Sequence, residues 1–252
     1  MHSLEPRPSR WELCGRILGA EVRVRPIFWV SCLLPGVIYY QDPAIGGVAA
    51  FGFWIAVVLL SLLAHEIGHI LAARLFGVHP RIVLAGLGGQ VFGLETVKRG
   101  PRLLIGLAGP LVNLLIFAIL WAITAYPLPR ELDEGARLFF ANAMKMAMLL
   151  NAFWCLLNLL PLWPLDGGRI AVEIGESLLG RRGRTLALLL SLAVSFLLMI
   201  TVIIWVRLTL INPFDVHYRV YLEYFCIQAI YCYAFWLSTF RALWDDHEHI
   251  NL

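Results

Sequence analysis

Long apolar stretches, separated by short polar or basic connections, set the pattern of this chain. A helix needs about 20 mostly apolar residues to cross a bilayer, and nearly all of these stretches reach that length. The pattern predicts an all-α polytopic membrane protein with about six transmembrane helices, the first being the shortest. The predicted spans are 27–40, 45–78, 103–126, 139–160, 185–206 and 221–240.

Composition excludes two other classes of protein. Of the 252 residues, 60% are hydrophobic and 15% charged, and the mean hydropathy is +0.76. A soluble globule carries more charge, and a disordered chain is less hydrophobic. The net charge of +3 gives no bulk basicity that would indicate a nucleic-acid partner. The five cysteines, an odd number without CxxC spacing, indicate neither a disulfide framework nor a zinc knuckle.

The distribution of Lys and Arg predicts the orientation in the membrane. With six spans and the N-terminus inside, 15 of the 20 basic residues fall in cytoplasmic segments. We therefore expect both termini in the cytoplasm. The predicted organisation is a cytoplasmic N-terminal segment at 1–26, without a signal-peptide cleavage site, a single membrane-embedded domain at 27–240 and a short cytoplasmic tail at 241–252.

One pentapeptide, His65-Glu66-Ile67-Gly68-His69, lies inside the second predicted span. Residues four apart share a helix face, so both imidazoles can reach one Zn²⁺ while Glu66 is placed to act as a general base. Ionisable groups at membrane depth are costly and usually have a partner or a task. The alternative is that the three side chains are only hydrogen-bonded within a helix bundle.

A catalytic zinc site needs a third protein ligand, and Asp166 is the best candidate. The other five histidines lie in predicted tails or loops, whereas Asp166 follows the fourth span at the same cytoplasmic depth as the histidine pair. It belongs to Asn-Leu-Leu-Pro-Leu-Trp-Pro-Leu-Asp-Gly-Gly at 158–168, where the prolines and glycines predict broken backbone. Such backbone is tolerated at membrane depth beside protein or a water-filled cavity. An ordinary loop turn is the alternative for this segment.

These two motifs together resemble the site-2 protease family of intramembrane zinc metalloproteases, and in particular its compact bacterial six-span branch, which contains the sporulation factor-processing protease. The resemblance covers roughly residues 45–169. It implies one Zn²⁺ per chain, held by His65, His69 and Asp166, with Glu66 as the catalytic base. Asn158 corresponds to a family asparagine beside the active site, which we expect to hold the substrate backbone or the developing oxyanion.

Two further segments fit the family pattern. Gly109-Pro110-Leu111-Val112-Asn113 matches its G-P-x-x-N signature, where small residues let helices approach and the amide can hydrogen-bond in the core. The segment 82–92 has β-prone arms around Gly86, Gly88 and Gly89, which predicts a hairpin. In the family this place holds a re-entrant hairpin near the active site, and its open edge can bind an unwound substrate as an added strand. A plain cytoplasmic loop is the alternative.

The resemblance implies regulated intramembrane proteolysis. The expected partners are the lipid bilayer, a single-pass membrane protein as substrate and a separate regulatory protein, since no connection is long enough for a PDZ domain. The expected location is a bacterial inner membrane, and the oligomeric state stays open.

Two alternatives remain from other functional classes. A membrane metal-ion transporter would spread polar residues through several spans, often in repeats, whereas this chain concentrates them near one face. A catalytically dead relative that binds membrane proteins would have no need of Glu66.

Overall fold

The structure, a computed structural model, describes residues 9–41, 47–86, 88–94, 96–126, 133–210 and 236–244. Most of these residues are helical, and a small sheet accompanies the helices. The strands are β1 (Leu13–Ile17), β2 (Ala20–Val24), β3 (Arg81–Ala85) and β4 (Gly88–Phe92), and the helices are α1 (Pro26–Gln41), α2 (Val48–Leu75), α3 (Arg99–Ile123), α4 (Glu134–Leu159), α5 (Asp166–Leu179) and α6 (Arg181–Leu210).

Four of the described helices are long and apolar enough to cross a bilayer, namely Val48–Leu75, Arg99–Ile123, Glu134–Leu159 and Arg181–Ile204. They contain 24 to 28 residues, or about 36–42 Å of helix at a rise of about 1.5 Å per residue. A bilayer core of about 30 Å is shorter than each of them. The chain is therefore an integral, multi-pass membrane protein, as the second to fifth apolar stretches predicted.

The first and last predicted spans have different outcomes. Helix α1 covers the first, but its 16 residues give only about 24 Å of helix, and it is not among the four candidate spans. Most of the last, at 221–235, lies outside the described residues, and 236–244 is helical. Six spans therefore remain a prediction.

The chain divides into two compact units, Met1–Leu157 and Asn158–Leu252. The first contains a four-stranded sheet in the order β1-β2-β3-β4. The predicted hairpin is confirmed, because β3 and β4 pair antiparallel and are joined through Gly86, whose φ is +60°. The expectation of an all-α protein with only this hairpin was wrong in one respect, because β1 and β2 form a second hairpin and β2 pairs in parallel with β3.

A buried ion pair accounts for basic residues within the N-terminal hairpin. Arg23 is 4% exposed and its Nη2 lies 2.8 Å from Glu12 Oε2, while Arg25 Nε lies 3.2 Å from Glu12 Oε1. On sequence alone these arginines belong to the polar and basic segment at 1–26. The partner that makes the burial of Arg23 tolerable lies 11 residues earlier.

In the first unit the apolar core forms where α1, α2, the sheet and α4 pack together. Its buried members include Phe28, Val58, Ile70, Ile82 and Leu150. Helix α2 is central because it packs against both α1 and α3. A helix covered on both sides can keep polar side chains away from lipid, which is what His65, Glu66 and His69 require.

The second unit contains the predicted turn, α5 and α6. The glycines after Asp166 are required, because a Cβ at Gly167 would overlap the carbonyl oxygens of Leu159 and Leu160, and one at Gly168 would overlap Leu162. The turn is also anchored by two buried hydroxyl groups. Trp163 N donates to Ser191 Oγ over 2.7 Å, and Thr239 Oγ1 donates to Trp163 O over 3.3 Å.

Candidate active site

His65, Glu66 and His69 lie together in the C-terminal half of α2 and are 4%, 2% and 1% exposed. Their helix is regular, so the four-residue spacing brings the two imidazoles onto one face. The ring centroids lie 4.8 Å apart, and the two Nε2 atoms are 3.1 Å apart. The predicted pairing of the histidines is therefore present in the fold.

Helix α3 supplies a hydrogen-bond acceptor to the Nδ1 atom of each imidazole, on the side of the ring away from the paired Nε2 atoms. His65 Nδ1 lies 2.6 Å from Asn113 Oδ1, and His69 Nδ1 lies 2.7 Å from Ile105 O. A carbonyl oxygen cannot donate, so each Nδ1 carries the proton and each Nε2 keeps its lone pair. Two lone pairs facing each other at this distance repel unless a cation lies between them. The ring orientation thus favours a metal ion at the paired Nε2 atoms.

Asn113 belongs to a buried network that the sequence did not reveal beyond this one residue. Its Nδ2 donates to Asn151 Oδ1 over 2.9 Å, and Asn151 Nδ2 donates to Ser61 Oγ over 3.0 Å and to Ala147 O over 2.8 Å. Asn113, Asn151 and Ser61 are all buried. The expectation that the amide of the G-P-x-x-N signature hydrogen-bonds in the core is confirmed. Asn151 and Ser61 were missed because no local motif marks them.

Gly109 allows α3 to approach the histidines. A Cβ at this position would overlap His69 Nε2 and would lie 2.7 Å from His65 Cε1 and Nε2. Only glycine leaves room at the metal-facing nitrogens. The G-P-x-x-N signature predicted helix packing at Gly109. In the structure this packing is against the two candidate ligands, His65 and His69.

The glycine hairpin reaches Glu66. A Cβ at Gly89, in β4, would overlap the Glu66 carboxylate, so this strand lies directly against the candidate base. A Cβ at Gly88 would meet nothing within 4 Å, and Gly86 makes the turn. The hairpin is therefore near the site, as expected, while the roles of its three glycines in substrate binding remain a prediction.

Asp166 begins α5 and is 7% exposed. Among the described residues, His65, His69 and Asp166 form a group that could hold a metal ion, since their ligand atoms lie within 4.8 Å of one another. Asn158, in the last turn of α4, is also 7% exposed. Its role beside the site remains a prediction.

Part of the chain matches a protein family model, and several known proteins are similar in sequence. Residues 131–202 match the model of Peptidase family M50. Zinc metalloprotease MJ0392 of Methanocaldococcus jannaschii is 30% identical over 122 residues, which are 47% of this chain and 34% of that protein. Over part of its length the chain is thus similar to the M50 family model and to this zinc metalloprotease.

Two further proteins are similar to this chain. Putative zinc metalloprotease Rip3 of Mycobacterium tuberculosis is 31% identical over 182 residues, covering 62% of this chain and 41% of Rip3. Stage IV sporulation protein FB of Bacillus subtilis is 25% identical over 156 residues, covering 60% and 46%. The chain thus spans less than half the length of these relatives.

The fold is also similar to that of a solved protein. The site-2 protease from Methanocaldococcus jannaschii superimposes with a TM-score of 0.54 and 17% sequence identity, covering 90% of this chain and 95% of that one. At this identity the match concerns the fold alone. It supports the site-2 protease fold that the motifs implied.

The donor set of this chain fits zinc. Two imidazole nitrogens and a carboxylate oxygen are a catalytic zinc combination, which leaves a fourth position open. With Zn–N bonds of about 2.0–2.1 Å, two nitrogens of a tetrahedral site lie about 3.3 Å apart. The 3.1 Å between the Nε2 atoms is close to that separation.

Proposed function

We propose that this chain is an intramembrane zinc metalloendopeptidase that cleaves a transmembrane substrate within or near the bilayer. The observation that carries the proposal is the buried group of His65, His69 and Asp166, with Glu66 on the same helix turn as the histidines. A structural role alone gives little reason for three metal donors and a carboxylate inside a membrane helix bundle. The family relationship adds support.

His65, His69 and Asp166 would hold one Zn²⁺ per chain. When bound, zinc supplies Lewis acidity that polarises the scissile carbonyl and lowers the pKa of water toward about 7. The chain supplies the remaining functions. Asn113 and Ile105 O fix the two rings. Glu66 takes up the proton of the attacking water and passes it to the leaving amine.

We further propose that the substrate is a single-pass membrane protein presented in extended form. Peptide bonds inside a helix are sealed by hydrogen bonds, so a segment must unwind before it can react. β4 stands at an edge of the described sheet, and through Gly89 it lies against Glu66. An added substrate strand on β4 would receive main-chain hydrogen bonds close to the base. Gly86, Gly88 and Gly89 leave the backbone around the turn without side chains at three positions, and Asn158 would bind the substrate backbone.

The proposed setting is a bacterial inner membrane with both termini in the cytoplasm. Support comes from the excess of Lys and Arg on one predicted side and from bacterial relatives such as Rip3 and Stage IV sporulation protein FB. In this setting a separate protein would regulate cleavage.

Substitution of Glu66 by Gln tests the proposal. We expect Glu66→Gln to bind about one zinc per chain by elemental analysis, because the ligands are intact, and to lose at least about 10²-fold in cleavage. The matched control is Glu21→Gln, an exposed glutamate on β2, which should cleave as the parent does. Membrane proteomes of cells carrying the parent or Glu66→Gln would identify the substrate as a protein that accumulates uncut.

Two results would overturn the proposal. Parental cleavage by Glu66→Gln would remove the assigned base. Zinc uptake into liposomes carrying the purified protein, without peptide cleavage, would indicate a transporter instead.

A further inference from the structure

Asn151 is a buried amide within a membrane-spanning helix, and neither sequence motif contains it. It lies in α4 and is 1% exposed. Burial of an amide in an apolar environment is unfavourable unless the amide is hydrogen-bonded. The partners of Asn151 therefore indicate what the residue does.

Both polar atoms of the Asn151 side chain are hydrogen-bonded, and their partners fix the direction of its amide. Nδ2 donates to Ala147 O, one turn earlier, over 2.8 Å and to Ser61 Oγ, on α2, over 3.0 Å. A backbone carbonyl can only accept, so the nitrogen must point to Ala147. The oxygen is thereby directed to Asn113 Nδ2, at 2.9 Å.

This direction determines the orientation of Asn113 in turn. Asn113 Nδ2 faces the oxygen of Asn151 and also lies 3.4 Å from Ser61 O, so both of its acceptors lie on one side. Its own Oδ1 must then face His65 Nδ1, which lies 2.6 Å away. An oxygen at that position requires a proton on Nδ1 and leaves the lone pair on Nε2.

We propose that Asn151 is a positioning residue that selects the histidine tautomer of His65. Its effect passes through Asn113, so that the backbone carbonyl of Ala147 decides which ring nitrogen of His65 is free to bind a cation. The benefit to metal binding rests on the proposed function, but the tautomer exists in the metal-free protein and is measurable there.

The first experiment records ¹⁵N NMR spectra of histidine-labelled protein without zinc, at a pH well above the usual histidine pKa of about 6.5. In the parent, His65 should carry its proton on Nδ1. In Asn151→Ala, the amide of Asn113 loses the nearer of its two acceptors and can turn, so a substantial Nε2–H population should appear. The same spectra report His69, whose acceptor is Ile105 O and whose tautomer should not change.

The second experiment compares zinc affinities. Removal of a group that orients a ligand typically lowers metal affinity by about 10–100-fold, and we expect about tenfold for Asn151→Ala. Asn151→Ser retains a hydroxyl that can donate to Ala147 O and accept from Asn113, and it should stay close to the parent. The double variant Asn113→Ala/Asn151→Ala should bind no more weakly than Asn113→Ala alone, because the two residues act in series.

Three results would overturn the inference. Unchanged Nδ1 protonation of His65 in Asn151→Ala would show that the orientation of Asn113 is set elsewhere. An Asn151→Ser variant weaker than Asn151→Ala would indicate a packing role, and additive losses in the double variant would show independent effects. If the parent itself binds no zinc, the proposed function fails, and the NMR spectra alone decide the role of Asn151.

Discussion

At the scale of single residues, two glycines determine how closely other elements approach the ionisable side chains. Gly109 brings α3 against both imidazoles, and Gly89 brings β4 against the Glu66 carboxylate. His65, Glu66 and His69 are readable from sequence because their spacing is local and their presence in an apolar span is costly. The two glycines were visible as motif members, but their contacts could not be read, since each faces a residue on another element.

The first prediction concerns Gly109. Gly109→Ala should abolish zinc binding or weaken it by at least about tenfold, because the added methyl overlaps His69 Nε2. The matched control is Gly100→Ala in the same helix, where a Cβ meets nothing within 4 Å. Zinc titration of both purified variants provides the measurement. Equal affinities would show that α3 can retreat from the imidazoles.

The second prediction separates the base from the ligands. Gly89→Ala should retain zinc but lose about 10²-fold or more in cleavage, because its methyl displaces the Glu66 carboxylate. The matched control is Gly15→Ala in β1 of the same sheet, where a Cβ meets nothing within 4 Å. It measures the effect of replacing a strand glycine away from Glu66. Peptidase assays with zinc analysis test this. A Gly89→Ala variant that is fully active would place the base elsewhere.

At the scale of secondary structure elements, the helices were predictable and half of the sheet was not. Length and apolarity specify the spans without reference to the rest of the chain. The hairpin of β3 and β4 was also predictable, because its glycine turn is local. Pairing of β2 with β3 was not, since Glu21 and Arg81 are partners about 60 positions apart. The charge of Arg23 is also typical of a polar N-terminal segment, although this residue is buried in β2.

The third prediction concerns the ion pair in that sheet. Glu12→Gln leaves the Arg23 guanidinium buried without its counter-charge, and loss of one partner of a buried pair costs about 3–5 kcal/mol. We expect a lower thermal unfolding midpoint in detergent micelles. Glu21→Gln, exposed on β2, should leave the midpoint unchanged. Equal midpoints for the parent and Glu12→Gln would contradict the stabilising role of the pair.

At the scale of the whole molecule, the candidate zinc ligands come from positions about a hundred residues apart. Their common depth in the membrane stays a prediction from the loop charges, which set the expected topology independently of the ligands. The network of Asn113, Asn151 and Ser61 could not be predicted from the sequence, since its members come from three helices. A ligand that joins distant segments binds the folded chain and not the unfolded one, so it stabilises the fold.

The fourth prediction follows from this linkage. Removal of zinc by a chelator should lower the thermal unfolding midpoint of the parent and of Glu66→Gln, which keeps all three ligands. A free zinc concentration 100 times the dissociation constant corresponds to about 2.7 kcal/mol of stabilisation. Asp166→Ala should unfold at nearly the same temperature with and without zinc. A chelator effect of parental size in Asp166→Ala would show that Asp166 is not a ligand.

The parallel pairing of β2 with β3 has a consequence for biosynthesis. The N-terminal hairpin leaves the ribosome early, but β3 is synthesised only after α1 and α2. The sheet therefore closes late, once the polypeptide carrying both histidines has been delivered to the lipid. Until then the edge of β2 that pairs with β3 is unpaired, and an unpaired strand edge is prone to pair with other chains.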